Sequence, residues 1–123
     1  MQNSEVKSKI DTKTRAYNFA LEIIKLIKIL DQRDLSCQVL SKQVLRSATS
    51  IGANIIEAQA GRTRKDFANF FTHALKSANE TKFWLGLMRD ANLADKNKLE
   101  VLLKEVTELS NILAASILTL KKG

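Results

Sequence analysis

Proline is absent from this sequence of 123 residues, and only 4 glycines occur in it. A β-sheet or α/β domain of this length needs such turn residues about every ten positions. Their scarcity argues against both fold classes and predicts an all-α protein. A chain of this length forms one hydrophobic core, so residues 1–123 are predicted to make a single domain.

Residues that carry chemistry are also scarce. Cys37 is the one cysteine and His73 the one histidine, so the chain offers neither an intrachain disulfide nor the ligands of a zinc site. No glutamate stands three residues before His73, which excludes a di-iron carboxylate motif. Ser77 lies one turn after His73, but no glycine-rich elbow, oxyanion loop or phosphate-binding loop accompanies the pair. We expect no catalytic residues, no metal site and no cofactor, and therefore a protein that is not an enzyme.

Long apolar runs are missing as well. The longest uncharged run, residues 109–120, is shorter than the roughly 20 residues that cross a bilayer, and residues 1–11 lack the apolar centre of a signal peptide. We therefore expect a soluble, cytoplasmic protein without a membrane partner.

Charge, in contrast, is plentiful and unbalanced. The sequence has 20 lysines and arginines against 13 acidic residues, which gives a net charge of +7. A surplus of this size favours an anionic partner such as nucleic acid or an acidic protein surface.

Apolar residues recur at spacings of three and four along four segments, which is the pattern of amphipathic helices. The helices are predicted at roughly 12–31, 35–60, 64–90 and 97–121. Joints this short place consecutive helices antiparallel, which predicts an up-down-up-down four-helix bundle.

Three local signals mark the predicted helix ends. Gly61 is expected to stop the second helix through a left-handed backbone. Thr63 with Asp66 is expected to cap the third helix, and Asn97 with Glu100 the fourth.

The middle of the second helix, residues 47–54, consists almost entirely of small or short polar residues. Small side chains let helix backbones approach closely, so the tightest crossing of the bundle is expected here. Polar residues also line one flank of this helix and one flank of the third, and partly buried polar groups need hydrogen-bond partners. The predicted polar seam consists of Ser50, Asn54, Glu57, His73, Ser77 and Glu80. The alternative is that the two strips bind an external ligand.

Basic residues cluster on the second helix, at the joint that follows it and on the third helix. The candidate nucleic-acid-binding residues are Lys42, Arg46, Arg62, Arg64, Lys65 and Lys76. Phe83 stands on the same side of the third helix, and basic groups beside an exposed ring are typical of surfaces that contact phosphates and stack bases. The alternative is an ordinary solvated helix face. For Arg46, a carboxylate such as that of Glu57 offers a competing ion pair.

The fourth helix carries more apolar surface than a monomeric bundle needs. The residues predicted to contact another copy of the chain are Leu103, Ile112, Ile117 and Leu118. An apolar outer face usually marks a contact with another chain, so we expect a homo-oligomer. The alternative is a scatter of tolerated surface residues.

Two segments resemble the signature of a known family. Residues 43–57 (QVLRSATSIGANIIE), and within residues 66–85 the elements DF, ALKSANET and WL, resemble the four-helix-bundle proteins known as 23S rRNA intervening-sequence proteins. This family includes the accessory variability determinants of diversity-generating retroelements. The resemblance implies four-helix protomers in a ring-shaped homopentamer and a basic surface that binds RNA or DNA. In retroelement members it also implies a reverse transcriptase as partner.

The sequence departs from the family pattern in two places. Members commonly have glycine directly after the glutamate that matches Glu57, whereas here Ala58-Gln59-Ala60 precede Gly61. The second helix should therefore be longer by about one turn. The proline that often precedes the second helix is absent.

Composition, charge and resemblance together predict a non-enzymatic, basic, oligomeric scaffold that binds nucleic acid, alone or together with a reverse transcriptase. The alternative is a protein-interaction or structural bundle with no nucleic-acid role, whose positive charge serves solubility.

Overall fold

The computed structural model describes residues 11–61 and 63–122, and this part of the chain forms four helices. They are α1 (Thr12–Lys28), α2 (Leu35–Ala60), α3 (Arg64–Asp90) and α4 (Lys96–Lys122). The described residues contain no β-strand. The all-helical class with four helices, predicted from the scarcity of turn residues and from the apolar periodicity, is confirmed for this part of the chain.

α1 ends at Lys28 rather than at the predicted residue 31. The N–H groups of Ile29 and Leu30 donate to the carbonyl oxygens of Leu26 and Ile27, three residues back, at 3.2 Å each. This tighter pattern replaces the i→i−4 hydrogen bonds of the α-helix and closes its last turn.

Short side chains cap the starts of the helices by accepting a backbone N–H bond three residues ahead. The pairs are Asp11 with Thr14, Asp34 with Cys37, Thr63 with Asp66 and Asp95 with Lys98, at 2.7–3.0 Å. The cap predicted at Thr63 is therefore confirmed. The cap predicted at Asn97 is wrong, because Asp95 caps α4 and the helix begins one residue earlier than expected.

Gly61 follows α2 with φ −67° and ψ 151°, an extended conformation. The predicted left-handed stop is therefore wrong. Space explains the glycine instead, because a Cβ atom at this position would lie 3.1 Å from the carbonyl oxygen of Ala58 and 3.1 Å from Cβ of Asp66. The chain turns from α2 into α3 by passing close to both.

The four helices enclose one hydrophobic core. α1 and α3 each contact both α2 and α4, and every helix contributes large side chains that are fully buried, such as Phe19, Ile51, Leu85 and Leu109. Burying one side chain of this size contributes about 1.5–3 kcal/mol relative to leaving it in water. The apolar stripes that predicted the helices are therefore also the surfaces that hold them together.

A charged side chain joins α1 to α4. Arg15 is only 7% exposed, and its guanidinium donates to both carboxylate oxygens of Glu105, at 2.9 and 3.1 Å, and to Oε1 of Glu108 at 2.8 Å. These hydrogen bonds raise the pKa of Arg15. Both acceptors are charged, so the arginine can be buried without leaving a bare charge in the interface.

Candidate nucleic-acid interface

The candidate interface lies where α2 and α3 meet, and hydroxyl groups connect the two helices there. Ser47 Oγ and Thr81 Oγ1 share a buried hydrogen bond of 2.8 Å. One turn further along α2, Ser50 Oγ accepts a hydrogen bond of 2.9 Å from Ser77 Oγ of α3. The side-chain amide of Asn54 donates to the carbonyl oxygen and the hydroxyl of Ser50, at 2.9 and 3.0 Å. The structure thus brings Ser50, Asn54 and Ser77 of the predicted polar seam together.

Glu80 extends this seam toward the surface. Its carboxylate accepts hydrogen bonds from the guanidinium of Arg46 on α2 and, at 3.0 Å, from the indole Nε1 of Trp84 on α3. The hydrogen bond from Arg46, and then that from Trp84, lower the pKa of Glu80. Arg46 also donates to Oε1 of Gln43 at 2.9 Å. The predicted ion pair of Arg46 with a carboxylate is therefore confirmed, and its partner is Glu80 rather than Glu57.

Two predicted members of the seam lie apart from it. The side chains of Glu57 and His73 are exposed, and among the described residues neither makes a side-chain hydrogen bond. The ring of His73 lies 6.4 Å from that of Phe70, centroid to centroid. Both residues sit on the outer edge of their helix, where their polar atoms are open to solvent.

The seam residues that sequence reasoning missed are Ser47 and Thr81. Thr81 occupies a polar step in the apolar stripe of α3, and Ser47 begins the small-residue stretch of α2. A polar residue at a core position needs a partner, and that signal could have paired them.

Besides Arg46, which is also exposed, four of the predicted basic residues are exposed on the surface of α2 and α3: Lys42, Arg64, Lys65 and Lys76. Within the described residues none of them forms an ion pair. Lys65 and Lys76 lie eleven residues apart on α3, or about 16 Å. Arg62 lies outside the described residues. We call this surface, with Arg46, the basic face.

An aromatic residue stands on the same side of α3 as Lys76. Phe83 is 59% exposed, and its ring packs edge-on against Trp84 with the centroids 5.0 Å apart and an interplanar angle of 68°. Trp84 is itself fixed by its hydrogen bond to Glu80. The phenylalanine ring is thus supported from one side and open to solvent.

The α4 residues predicted to contact another chain differ in how far they are exposed to solvent. Ile117 belongs to the core of its own chain, Leu103 and Ile112 are half-buried, and Leu118 is 61% exposed. Of these four residues, Leu118 therefore offers the apolar surface for a contact with another chain, whereas Ile117 is buried within its own chain.

Residues 11–61 and 63–122 lack two other kinds of site. No group of three or more His, Cys, Asp or Glu side chains in these ranges is arranged to hold a metal ion. No helix in the same ranges is long and apolar enough to cross a membrane.

The ion pair of Glu80 yields a test by pH. Because folding lowers the pKa of Glu80, the pair stabilises the fold above the ordinary glutamate pKa of about 4.3, and this contribution is lost as the pH falls through the lower, folded pKa. Glu80→Gln should therefore lower the free energy of unfolding at neutral pH, by less than about 1 kcal/mol because the pair is partly solvated.

Thermal unfolding followed by circular dichroism, from about pH 7 down to about pH 2.5, measures the effect. The difference between the variant and the wild type should shrink to nothing at the acid end. Glu22→Gln, in an exposed pair with Lys25 on one helix, is the control and should differ little throughout. A deficit of Glu80→Gln that stays constant across the pH range would contradict the role of the charge.

The chain is similar to proteins of one family. The sequence profile described as 23S rRNA-intervening sequence protein matches residues 8–115. Among solved structures, a protein with unknown function from the S23 ribosomal protein family of Bacteroides thetaiotaomicron VPI-5482 superposes with a TM-score of 0.80 at 39% sequence identity, covering 87% of this chain and 98% of that chain. No curated protein matches the sequence. Because the profile spans most of the sequence, the chain belongs to the family of 23S rRNA-intervening sequence proteins.

Proposed function

We propose that the protein is a non-enzymatic scaffold that binds RNA or DNA through its basic face, as a homo-oligomer in the cytoplasm. The observation that carries the proposal is the set of exposed cations on α2 and α3 that form no ion pair with any described residue. Cations without a carboxylate partner are available to phosphate groups, and binding to phosphates releases counterions from the nucleic acid.

The seam beneath the basic face gives these cations a fixed arrangement. The hydrogen bonds of Ser47 with Thr81 and of Ser50 with Ser77 connect α2 to α3, so the lysines project from two helices that hold one position relative to each other. Phosphate contacts of this kind position a protein on nucleic acid without reading its sequence. We therefore expect binding that is largely independent of sequence.

The cations contribute unequally under this proposal. Arg46 is committed to Glu80 and Gln43, so it has less positive charge to offer than Arg64, Lys65 or Lys76. The main contacts are assigned to the residues without a carboxylate partner. Phe83 adds an exposed ring on which a base can stack.

The name of the family supports an RNA context, because its members are described by an intervening sequence of 23S rRNA. The solved relative is assigned to the S23 ribosomal protein family, with no function given. If the gene of this chain belongs to a diversity-generating retroelement, the proposal extends to a reverse transcriptase as its protein partner.

The proposal includes an up-down-up-down order of the helices. Ser47 of α2 bonds to Thr81 of α3, and the later residue Ser50 bonds to the earlier residue Ser77. Partners on α3 and α4 also run in opposite order, from Lys82 with Ser110 to Arg89 with Glu100 (both pairs at about 3 Å). Opposite order of this kind supports antiparallel neighbours.

The proposal also includes assembly into a ring, as a homopentamer. Exposed Leu118 on α4 supports a contact between copies, because an exposed large apolar side chain gains stability when another chain covers it. A ring would repeat the basic face on every protomer. Several weak phosphate contacts would then act together and give a tight overall affinity.

A second candidate function is a protein-interaction bundle. It is favoured by apolar side chains on the outer surface of α1 and α2, where Tyr17 is 64% and Ile56 53% exposed. The two functions use different surfaces, so mutation can separate them.

Reversing two charges of the basic face tests the main proposal. Arg64→Glu with Lys65→Glu should weaken binding of both RNA and DNA at least about tenfold, whatever their sequence, because phosphate contacts are lost and repulsion is added. Fluorescence anisotropy with labelled oligonucleotides measures the affinity, and circular dichroism should show an unchanged fold, since both side chains are exposed.

The matched control reverses two lysines on α4, Lys98→Glu with Lys104→Glu, which changes the net charge by the same amount. Both residues are exposed and lie outside the basic face. The control should keep most of the affinity. If the two double variants lose affinity equally, binding depends on net charge and the basic face has no special role.

Introducing a charge at Leu118 tests assembly. Leu118→Glu should reduce the oligomer mass measured by multi-angle light scattering toward that of one chain, 13.8 kDa, because a carboxylate cannot be buried unpaired in an apolar contact. Thr119→Glu, one residue further on and also exposed, is the control and should leave the mass unchanged. A wild-type protein that already has the mass of one chain at micromolar concentration would contradict the assembly.

A further inference from the structure

An apolar groove runs along the outside of the molecule between α1 and α2. It has a volume of about 660 Å³. Its lining includes the small residues Ala16, Ala20, Gly52 and Ala53. The helices are close here, since a Cβ atom built on Gly52 would lie 3.6 Å from Cβ of Ala16. Small side chains at this crossing leave an open channel above the backbone.

Large apolar side chains form the walls of this α1–α2 groove. Tyr17, Leu21 and Ile24 stand on α1 and Ile56 on α2, and all four are exposed although they line a concave surface. Leaving such side chains in water is unfavourable by about 25 cal/mol for each Å² of apolar surface. A groove of this composition gains free energy when an apolar partner fills it.

Lysines flank the groove at both ends. Lys13 is among its lining residues. At the other end Lys28 lies one turn beyond Ile24, and Lys42 stands two turns before Thr49 on the same stripe of α2. All three lysines are exposed, and none of the described lining residues is acidic. The surroundings of the apolar channel are therefore positive.

The shape and the charge identify the kind of partner. The α1 part of the lining runs from Lys13 to Ile24, a length of about 16 Å or three helical turns. A groove of this length accepts the apolar side chains at i, i+4 and i+7 of an amphipathic helix. From this geometry and the flanking lysines we infer that the α1–α2 groove binds an amphipathic helix of another protein whose polar face is acidic.

Other occupants fit the groove less well. Phosphate groups gain nothing from an apolar lining, and a bilayer needs protruding apolar side chains rather than a concave channel. Two copies of this chain that met groove to groove would bring Lys13, Lys28 and Lys42 of each against those of the other, and like charges repel. A ring instead joins its copies through unlike surfaces, and the residue proposed for that contact, Leu118, lies on α4 outside the groove. Lys42 belongs both to the flank of the groove and to the basic face, whereas the residues that line the groove all lie outside that face.

A designed peptide tests the inference on the full-length protein. The probe is a fluorescein-labelled peptide of about 14 residues with leucine at i, i+4, i+7 and i+11 and glutamate at the polar positions. Its saturable binding, followed by fluorescence anisotropy at physiological salt, supports the inference. The same peptide with lysine in place of glutamate should bind at least about tenfold more weakly. Absence of saturable binding, or equal binding of both peptides, would overturn it.

Groove variants then locate the binding site. Ile56→Glu and Ala53→Glu each place a carboxylate in the groove at an exposed position and should weaken binding of the glutamate peptide at least about tenfold. Val101→Glu, which changes an exposed apolar residue of α4, is the matched control and should leave it unchanged. Unweakened binding to Ile56→Glu that retains the wild-type circular dichroism spectrum would overturn the inference.

Two further measurements separate the other occupants. An excess of RNA should leave most of the peptide bound, because only Lys42 is shared between the two surfaces. Complete displacement by RNA would mean that the peptide lies on the basic face and would overturn the inference. Ile56→Glu should keep the oligomer mass of the wild type in light scattering. A loss of mass would assign the groove to a second copy of this chain and overturn the inference, whereas the proposed nucleic-acid binding would still stand or fall by the Arg64 and Lys65 variant.

Discussion

The hydrogen bond between the hydroxyl groups of Ser47 and Thr81 sets how α2 and α3 lie against each other. Both groups are buried, and each also donates to a carbonyl oxygen of its own helix, Thr81 Oγ1 to Ser77 at 2.8 Å and Ser47 Oγ to Val44 at 3.4 Å. The bond between the helices therefore contributes the net value of one hydrogen bond, about 0.5–1.5 kcal/mol. Sliding one helix along the other by a turn would break this bond and the one between Ser50 and Ser77. An apolar core alone tolerates such shifts more easily, because its contacts are not directional. The seam therefore favours one register of α2 against α3.

The surface chemistry follows from that register. Arg46 meets Glu80 because the seam brings their helices into line, and Glu80 in turn fixes Trp84, against which Phe83 stands. Lys42 on α2 and Lys76 on α3 are exposed, and among the described residues neither has a carboxylate partner. On the opposite flank of α2 the small residues meet α1 and leave an apolar channel. One helix thus separates a surface suited to phosphates from a groove suited to an apolar partner.

The sequence carried enough information for the core but not for every charged contact. Residues such as Ile23, Val44, Leu85 and Val106 lie in periodic stripes, and all four are buried, because a 3.6-residue period leaves one face to bury. Arg15 was not recognised, since a charged residue beside the stripe of α1 is indistinguishable from a surface residue until Glu105 and Glu108, far along the chain, are placed beside it.

The candidate site shows the same division between local and distant information. Ser50, Asn54 and Ser77 follow from polar strips on two neighbouring helices, and their hydrogen bonds could be anticipated from helix spacing. Glu57 could not be separated from them, because the angle at which α3 crosses α2 decides which flank is covered. Gly61 was assigned the usual left-handed role of a glycine after a helix, whereas the crowding by Ala58 and Asp66 appears only in three dimensions.

The most direct test of the central claim is the affinity of the wild-type protein for RNA and DNA measured across a series of salt concentrations. Binding through the basic face predicts that the logarithm of the association constant falls linearly with the logarithm of the salt concentration. The slope should be about −0.7 for single strands and −0.9 for duplex DNA for each phosphate neutralised, and similar for oligonucleotides of different sequence. No binding at low salt, or an affinity that does not change with salt, would contradict the account.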